Sequence, residues 1–373
     1  GASPGLERPA ARLEKAARDL RLAFAEEPAR LAWSQAAARP AFAGAFAELG
    51  EALAGLAVPL AAQAERSEGL DACAQRAAEA QELLGRLAGA QDEKWVRWVE
   101  VFPHAVQLHL TPLSCAELFQ RQLEEVPRAW IFTSATLAVG GDFSHYQREM
   151  GLEAAAARSW PSPFDFERQA LLYVPAMPED PNDPGFTEAV VNAALPVIEA
   201  SRGRAFLLFT TLRALRRAHQ LLREKLPYPL LVQGTGSRSE LLARFRRLGN
   251  AVLLGSASFR EGVDVRGEAL SVVVIDKLPF APPDDPVLAA RIDALRAAGG
   301  NPFTEFQLPQ AILQLKQGAG RLIRDEADRG VLMVCDPRLY SRPYGRLVRA
   351  SLPPMKPTRE LAEVRAFLAR IGA

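Results

Sequence analysis

The feature that most constrains this 373-residue chain is a regular alternation in its second half. AFLLFT (205–210), PLLVQG (229–234), AVLLGS (251–256), SVVVID (271–276) and GVLMVCD (330–336) are short, almost continuously apolar runs, separated by stretches of helical character. A strand that is apolar at every position needs cover on both faces. Such strands alternating with helices therefore predict a parallel sheet between two helical layers. Residues 185–373 are read as one α/β domain with a helical tail. In such sheets ligands collect beyond the carboxyl ends of the strands, so those ends are the first place to look for chemistry.

The first hundred residues have a different character. Phe42, Phe46, Leu49, Leu53, Leu56 and Leu60 recur at intervals of three and four, which is one apolar helical stripe. Leu13, Ala17, Leu20 and Phe24 repeat the pattern earlier, and Leu83, Leu84 and Leu87 later. Residues 9–100 are therefore expected to be helical throughout, with 1–94 as an all-α region. Residues 95–150 contain two β-rich runs, VQLHLTPL (106–113) and AWIFTSATL (129–137), whose sheet partners are expected outside this chain. A Pro-rich stretch at 151–184 reads as a linker. The leading Gly1-Ala2-Ser3-Pro4 reads as a cloning remnant on a portion of a longer protein.

Composition excludes several classes. No run approaches 18 consecutive apolar residues, so no membrane span is expected. Cys73, Cys115 and Cys335 lie 42 and 220 residues apart, which is neither a metal spacing nor a disulfide framework. With the four histidines they make no ligand pattern, so no metal site is assigned and a reduced, cytoplasmic setting is expected. The net charge of +1 is uninformative, but residues 201–250 hold ten arginines and one lysine against Glu224 and Glu240, a local excess of nine. That excess predicts a polyanion partner.

QGAGRLIRDEADRGVL (317–332) carries two candidate motifs. Asp325-Glu326-Ala327-Asp328 spells a magnesium-binding acid signature, but an acid pair for that task belongs at the carboxyl end of a buried strand. Here it precedes the strand 330–336, so it reads as a polar turn. Gln317, Arg321 and Arg324 are spaced i, i+4, i+7 and share one face if the helix continues through them. Gly320 removes bulk from that face. A guanidinium stays charged and offers a planar fork of donors, which suits a transferring phosphoryl group. Such an arginine can be worth ~10³–10⁵ in rate.

SFREGVDVRG (258–267) follows the strand 251–256 directly. Gly262 lets the chain turn, while Glu261 and Asp264 present carboxylates, Asp264 suited to accept from a ribose hydroxyl. TSATL (133–137) places Ser134, Ala135 and Thr136 at a predicted strand end, a hinge suited to sensing phosphate. At the end of 205–210, Thr210 and Thr211, followed by Arg213, could hold a backbone phosphate at a helix start. Ordinary helix capping explains the hydroxyls of both motifs equally well. The six lysines include none that follows a glycine, so the chain carries no Gly-Lys-Ser/Thr phosphate loop.

Taken together, WIFTSATL, GRAFLLFTTLRAL, SFREGVDVRG, DKLPFAPPDDP and LKQGAGRLIR resemble the later motifs of the DinG/YoaA branch of XPD-like superfamily-two DNA helicases, across roughly residues 95–355. The resemblance implies a RecA-like α/β motor domain, with an all-α arch-type region at 1–94 and a remnant of a first motor domain at 95–150. It implies an ATP- and magnesium-dependent 5′-to-3′ helicase acting on single-stranded DNA in repair. Gln317, Arg321 and Arg324 match its arginine-finger motif. Glu261, Gly262 and Asp264, with Gly320, match nucleotide-facing positions; Ser134, Ala135 and Thr136 match the coupling motif. Thr210, Thr211 and Arg213 match a motif near the DNA backbone. Arg260 departs from the pattern, where an aromatic residue is common.

The family's phosphate loop, acid pair and four-cysteine iron–sulfur cluster are not in this sequence. The resemblance places them in the remainder of a longer protein, and the 373-residue chain is expected to be inactive by itself. It also implies the chi subunit of the DNA polymerase III clamp loader as a partner, with the exposed-looking tail 353–370 as a candidate contact. The alternative from a different class is a non-enzymatic module that kept a motor fold for docking DNA or a replisome protein.

Overall fold

The computed structural model describes residues 5–24, 29–90, 92–125, 128–256, 259 and 269–372. Two compact units emerge. One comprises residues 1–119 and 281–302, the other 120–280 and 303–373. These boundaries differ from those expected at 94, 150 and 184.

The first unit is built on the helices Glu7–Leu22, Pro40–Ala61 and Glu68–Ala88. The predicted stripe is the packing face: Leu53 and Leu60 meet Ala77 of the third helix, while Phe42 joins Leu20, Phe24 and Val99. Phe24 and Phe42 lie 5.4 Å apart by ring centroid, and Trp33 meets Phe42 edge-on at 5.5 Å. Such pairs add about 0.5–1.5 kcal/mol beyond area burial. Ser67 starts the third helix by accepting from the Leu70 amide at 3.2 Å, with Glu68 and Asp71 in the first turn. Pro40–Ala61 is long and apolar enough to cross a bilayer, a property the count of consecutive apolar residues did not register. In this fold it packs between the other two helices.

The expectation of an all-α region is corrected by a three-stranded antiparallel sheet. Strand β1 (Ala29–Ala32) pairs with β2 (Trp95–Val101), and β2 pairs with β3 (Val106–Pro112). Residues 106–113 thus find their partners inside the chain. The hairpin closes where the Phe102 amide donates to the Ala105 carbonyl at 2.8 Å. The β2 run WVRWVEV buries Val96, Trp98, Val99 and Val101 while leaving Arg97 and Glu100 partly open, a half-buried pattern that favours a strand. Within the unit, Arg30 bridges Glu100 at 3.0 Å and Asp285 at 3.2 Å.

The second unit carries the predicted parallel sheet with two strands more than expected. Its order is β10-β4-β9-β8-β5-β7-β6, and every neighbouring pair is parallel. The strands are β4 (Ala170–Tyr173), β5 (Ala205–Phe209), β6 (Leu230–Val232), β7 (Val252–Ser256), β8 (Val272–Ile275), β9 (Gly330–Val334) and β10 (Lys356–Thr358). One apolar layer, with Phe206, Leu253, Ile312 and Leu332, lies on one face; the other, with Leu207, Val191, Leu254 and Met333, lies opposite.

Three expectations change here. The linker 151–184 contains β4, whose four residues are all buried between β9 and β10. The tail 353–370 is docked rather than exposed: β10 extends the sheet, and the helix Leu361–Arg370 buries Val364, Phe367 and Leu368. Residues 129–137 form no strand. Ile131 is 84% exposed and Trp130 stacks on Phe132 at 6.2 Å, a β-rich run with no partner strand among the described residues. A strand needs a neighbour for its backbone groups, and composition alone cannot supply one.

Candidate phosphate cleft

The helix Leu308–Ala319 enters from a π-helical turn at Phe303–Gln307 and carries Pro309 in its first turn. Its inner face, Leu308, Ile312, Leu315 and Ala319, is buried against the sheet. The helix stops at Ala319, earlier than the i, i+4, i+7 reading requires. The Gly320 amide donates to the Lys316 carbonyl at 2.8 Å, Arg321 to Gly318 at 3.2 Å and Leu322 to Ala319 at 3.1 Å, which tightens the end into a turn. Arg321 and Arg324 therefore lie beyond the helix. They still line the same cleft as Gln317 and Gly320, because Leu322 and Ile323 between them are buried and anchor the turn.

That cleft has a volume of about 800 Å³ and is also lined by Ala135, Thr136, Ser162 and Lys316. It joins the two motifs, TSATL and QGAGRLIR, that the sequence places 180 residues apart, all within the second compact unit. Ser134 supports the loop: its hydroxyl accepts from the Thr136 amide at 3.1 Å. Lys316 was not singled out from the sequence. Its Nζ donates to the Ala138 carbonyl at 2.8 Å, and burial lowers its pKa. Three cationic side chains face the cleft, and among the described residues lining it none is acidic. Such a lining favours an anion, and the guanidinium fork matches phosphate oxygens.

The cleft lies at the amino edge of the sheet, not the expected carboxyl edge. Asp328 and Arg329 lead directly into β9, and Gln169 leads into β4 beside it. Asp325-Glu326-Ala327-Asp328 is a turn, as read. Asp328 is 7% exposed, and its carboxylate accepts from the amides of Arg324 at 2.8 Å and Asp325 at 2.9 Å. The carboxylate thus holds two backbone amides of its own turn.

Thr210, Thr211 and Arg213 sit at the opposite, carboxyl edge, where β5 ends. The Thr210 amide and hydroxyl donate to Asp276 at 3.0 and 3.1 Å, and the Thr211 hydroxyl caps the helix Leu212–Leu222 by accepting from Ala214 at 3.1 Å. The structural role of both hydroxyls is thus explicit, while Arg213 is exposed. Burial raises the Asp276 pKa to about 6, against the hydrogen bonds from Thr210 and Lys277 that lower it. Next to it Asp336 accepts from the Leu278 amide at 2.7 Å and grips Arg338 at 2.7 Å, and burial raises the Cys335 thiol pKa. The local excess of charge at 201–250 is not one patch. The helix Leu212–Leu222 packs on one face of the sheet and Arg238–Leu248 on the other.

Glu261, Gly262 and Asp264 lie outside the described residues, as does Arg260. Nothing in the sequence marks Gln169. Its side chain donates to the carbonyls of Asp325, Glu326 and Asp328 at 3.0–3.1 Å, and only the folded chain brings these together.

Comparison with known proteins agrees with this architecture. Residues 194–355 match the family described as helicase C-terminal domain. The chain is 43% identical over 364 residues to the ATP-dependent DNA helicase YoaA of Escherichia coli, covering 98% of this chain and 57% of the relative. It is 41% identical over 272 residues to the ATP-dependent helicase DinG of Mycobacterium tuberculosis, covering 71% and 40%. The chain thus spans about half the length of the curated relatives it matches. Among solved structures, an apo XPD structure aligns with 96% of this chain and 70% of its own at a TM-score of 0.58 and 15% identity, which is a likeness of fold. On the strength of its sequence relatives and its matched domain, residues 194–355 are a helicase C-terminal domain, and nearly the whole chain is similar to the carboxyl-terminal part of the YoaA and DinG helicases.

Proposed function

We propose that the chain is the carboxyl-terminal portion of an ATP-dependent 5′-to-3′ DNA helicase of the YoaA/DinG type acting in DNA repair. One observation carries the reading: Gln317, Arg321 and Arg324 share one cleft with Lys316, Ala135 and Thr136. In this reading Arg321 and Arg324 reach the terminal phosphates of a nucleotide held chiefly by another part of the longer protein. They compensate charge that builds on the phosphoryl oxygens, with Gln317 and the Gly320 backbone fixing the approach. Thr136 and Ala135 sense the same anion, and Lys316 ties their loop to the helix that leads into the arginine turn.

ATP supplies the free energy of strand movement when it is bound. The cleft fits the phosphate end of ATP, and among the described residues that line it none is a carboxylate that could hold magnesium. Magnesium and the iron–sulfur cluster are assigned to the remainder of the protein, and the 373-residue chain alone is expected not to hydrolyse ATP. Single-stranded DNA is assigned to the carboxyl edge, where the Thr211 amide and Arg213 supply phosphate contacts. Glu261, Gly262 and Asp264 would serve the nucleotide. A cytoplasmic setting and contact with the chi subunit of the polymerase III clamp loader complete the proposal; the docked apolar face of the tail is not the surface for that contact.

The test is strand displacement by the intact protein on duplexes with either a 5′ or a 3′ single-stranded tail. ATP-dependent unwinding from the 5′ tail supports the reading. Unwinding from the 3′ tail alone, or none with ATP, overturns it.

A further inference from the structure

We infer that Asp328, with Gln169 behind it, is the positioning residue for Arg324. The inference rests on the proposed phosphate-facing role of Arg324 and adds what holds that side chain in place. Arg324 lies past the end of its helix, where no helical hydrogen bonding fixes its backbone. Its amide donates instead to the Asp328 carboxylate at 2.8 Å, and the next amide, of Asp325, donates to the same oxygen at 2.9 Å. The Asp328 amide returns a bond to the Asp325 carbonyl at 3.2 Å, closing the turn.

The turn is itself fastened to the sheet. The buried Gln169 amide converges on three of its carbonyls, and the Arg329 guanidinium donates to two of the same, Glu326 at 2.6 Å and Asp328 at 2.8 Å. On the other side Leu322 is 2% exposed and packs against the start of β9. A Cβ at Gly330 would come within 2.6 Å of Leu322 Cδ1 and 2.5 Å of the Ser271 carbonyl, so the strand and the turn approach as closely as glycine permits. The Arg324 backbone is therefore gripped from both directions, and one buried carboxylate is the direct link. Ionised acceptors make the stronger hydrogen bonds, and a shift of about 1 Å in a catalytic group can cost ~10²-fold in rate.

The experiment is a double-mutant cycle on ATP turnover by the intact helicase that carries this chain, with kcat and KM for ATP measured separately. Asp328→Ala is expected to lower kcat ~10–100-fold with KM for ATP changed less than about 3-fold. Asp328→Asn keeps one carbonyl acceptor for the Arg324 amide and is expected to recover most of that loss. Because Asp328 works through Arg324, the pair Asp328→Ala/Arg324→Ala is expected to turn over no more slowly than Arg324→Ala. A double variant slower by the full factor of Asp328→Ala, or an Asn variant no better than Ala, overturns the positioning role and leaves the role of Arg324 intact. An Arg324→Ala variant at wild-type kcat overturns both. Should Asp328→Ala fail to fold, the same cycle run with Asp328→Asn decides, with a loss of ~3–10-fold expected that vanishes beside Arg324→Ala.

Discussion

Lys316 Nζ donates to the main-chain carbonyl of Ala138 at 2.8 Å. This bond fastens the loop after Ser134-Ala135-Thr136 to the helix that delivers Gln317, Arg321 and Arg324. The bond thus joins the two motifs directly, across 178 residues of sequence. A half-buried ammonium is costly to dehydrate, and burial lowers its pKa, so the carbonyl partly replaces lost water. Lys316→Met is expected to destabilise the second unit by about 1 kcal/mol. It should also speed amide hydrogen exchange across 134–138 without altering exchange in β5 and β8. Unchanged exchange at 134–138 would show that the loop is held by something else.

Asp276 links the carboxyl edge to pH. A carboxyl whose folded pKa, about 6, lies above the ordinary value of 3.8 binds its proton more tightly in the folded state. Its contribution to stability is therefore largest below about pH 4 and is lost as pH rises through 6. The shift of about two units corresponds to roughly 3 kcal/mol. Chemical denaturation of the wild type and of Asp276→Asn between pH 4 and pH 7 isolates this group. The wild type should lose stability relative to the variant as pH rises; a flat or rising difference would contradict the assignment.

Glu326 separates the turn reading of Asp325-Glu326-Ala327-Asp328 from a metal-binding one. In a magnesium-binding acid pair the side chain of the glutamate would be indispensable. In the turn seen here the Glu326 carbonyl accepts from Gln169 at 3.1 Å, and the neighbouring Asp328 carboxylate accepts from two amides. Glu326→Gln in the intact helicase is expected to leave ATP turnover within about 2-fold of wild type, as for a surface substitution away from special features. A loss of orders of magnitude would restore the motif to the catalytic apparatus.

The parts of this protein that were legible in its sequence are those decided locally. Strands β5, β7, β8 and β9 are buried at every position, so continuous apolar runs announce them. The helical stripe from Phe42 to Leu60 and the polar turn at 325–328 are local in the same sense. What was not legible depends on a distant partner. Strand β10, Lys-Pro-Thr, has no apolar pattern and exists because β4 offers it an edge. Residues 129–137 have a strand's composition but pair with no strand among the described residues. Gln169 meets the turn from about 157 residues away, and Lys316 meets Ala138 from 178.

The arginine pair shows both sides of this limit. Its residue types and rough proximity follow from QGAGRLIR. The helix nevertheless ends at Ala319, and the shared cleft depends on Leu322 and Ile323 turning inward between the two guanidinium groups.

The central claim is that Arg324 meets nucleotide phosphate during turnover, and the most direct measurement is ATP hydrolysis by the intact helicase carrying Arg324→Ala, alongside its equilibrium affinity for ATP. The account predicts nearly unaltered affinity with kcat lowered by ~10³-fold or more, because the charge it compensates develops in the transition state. An unchanged kcat would contradict it.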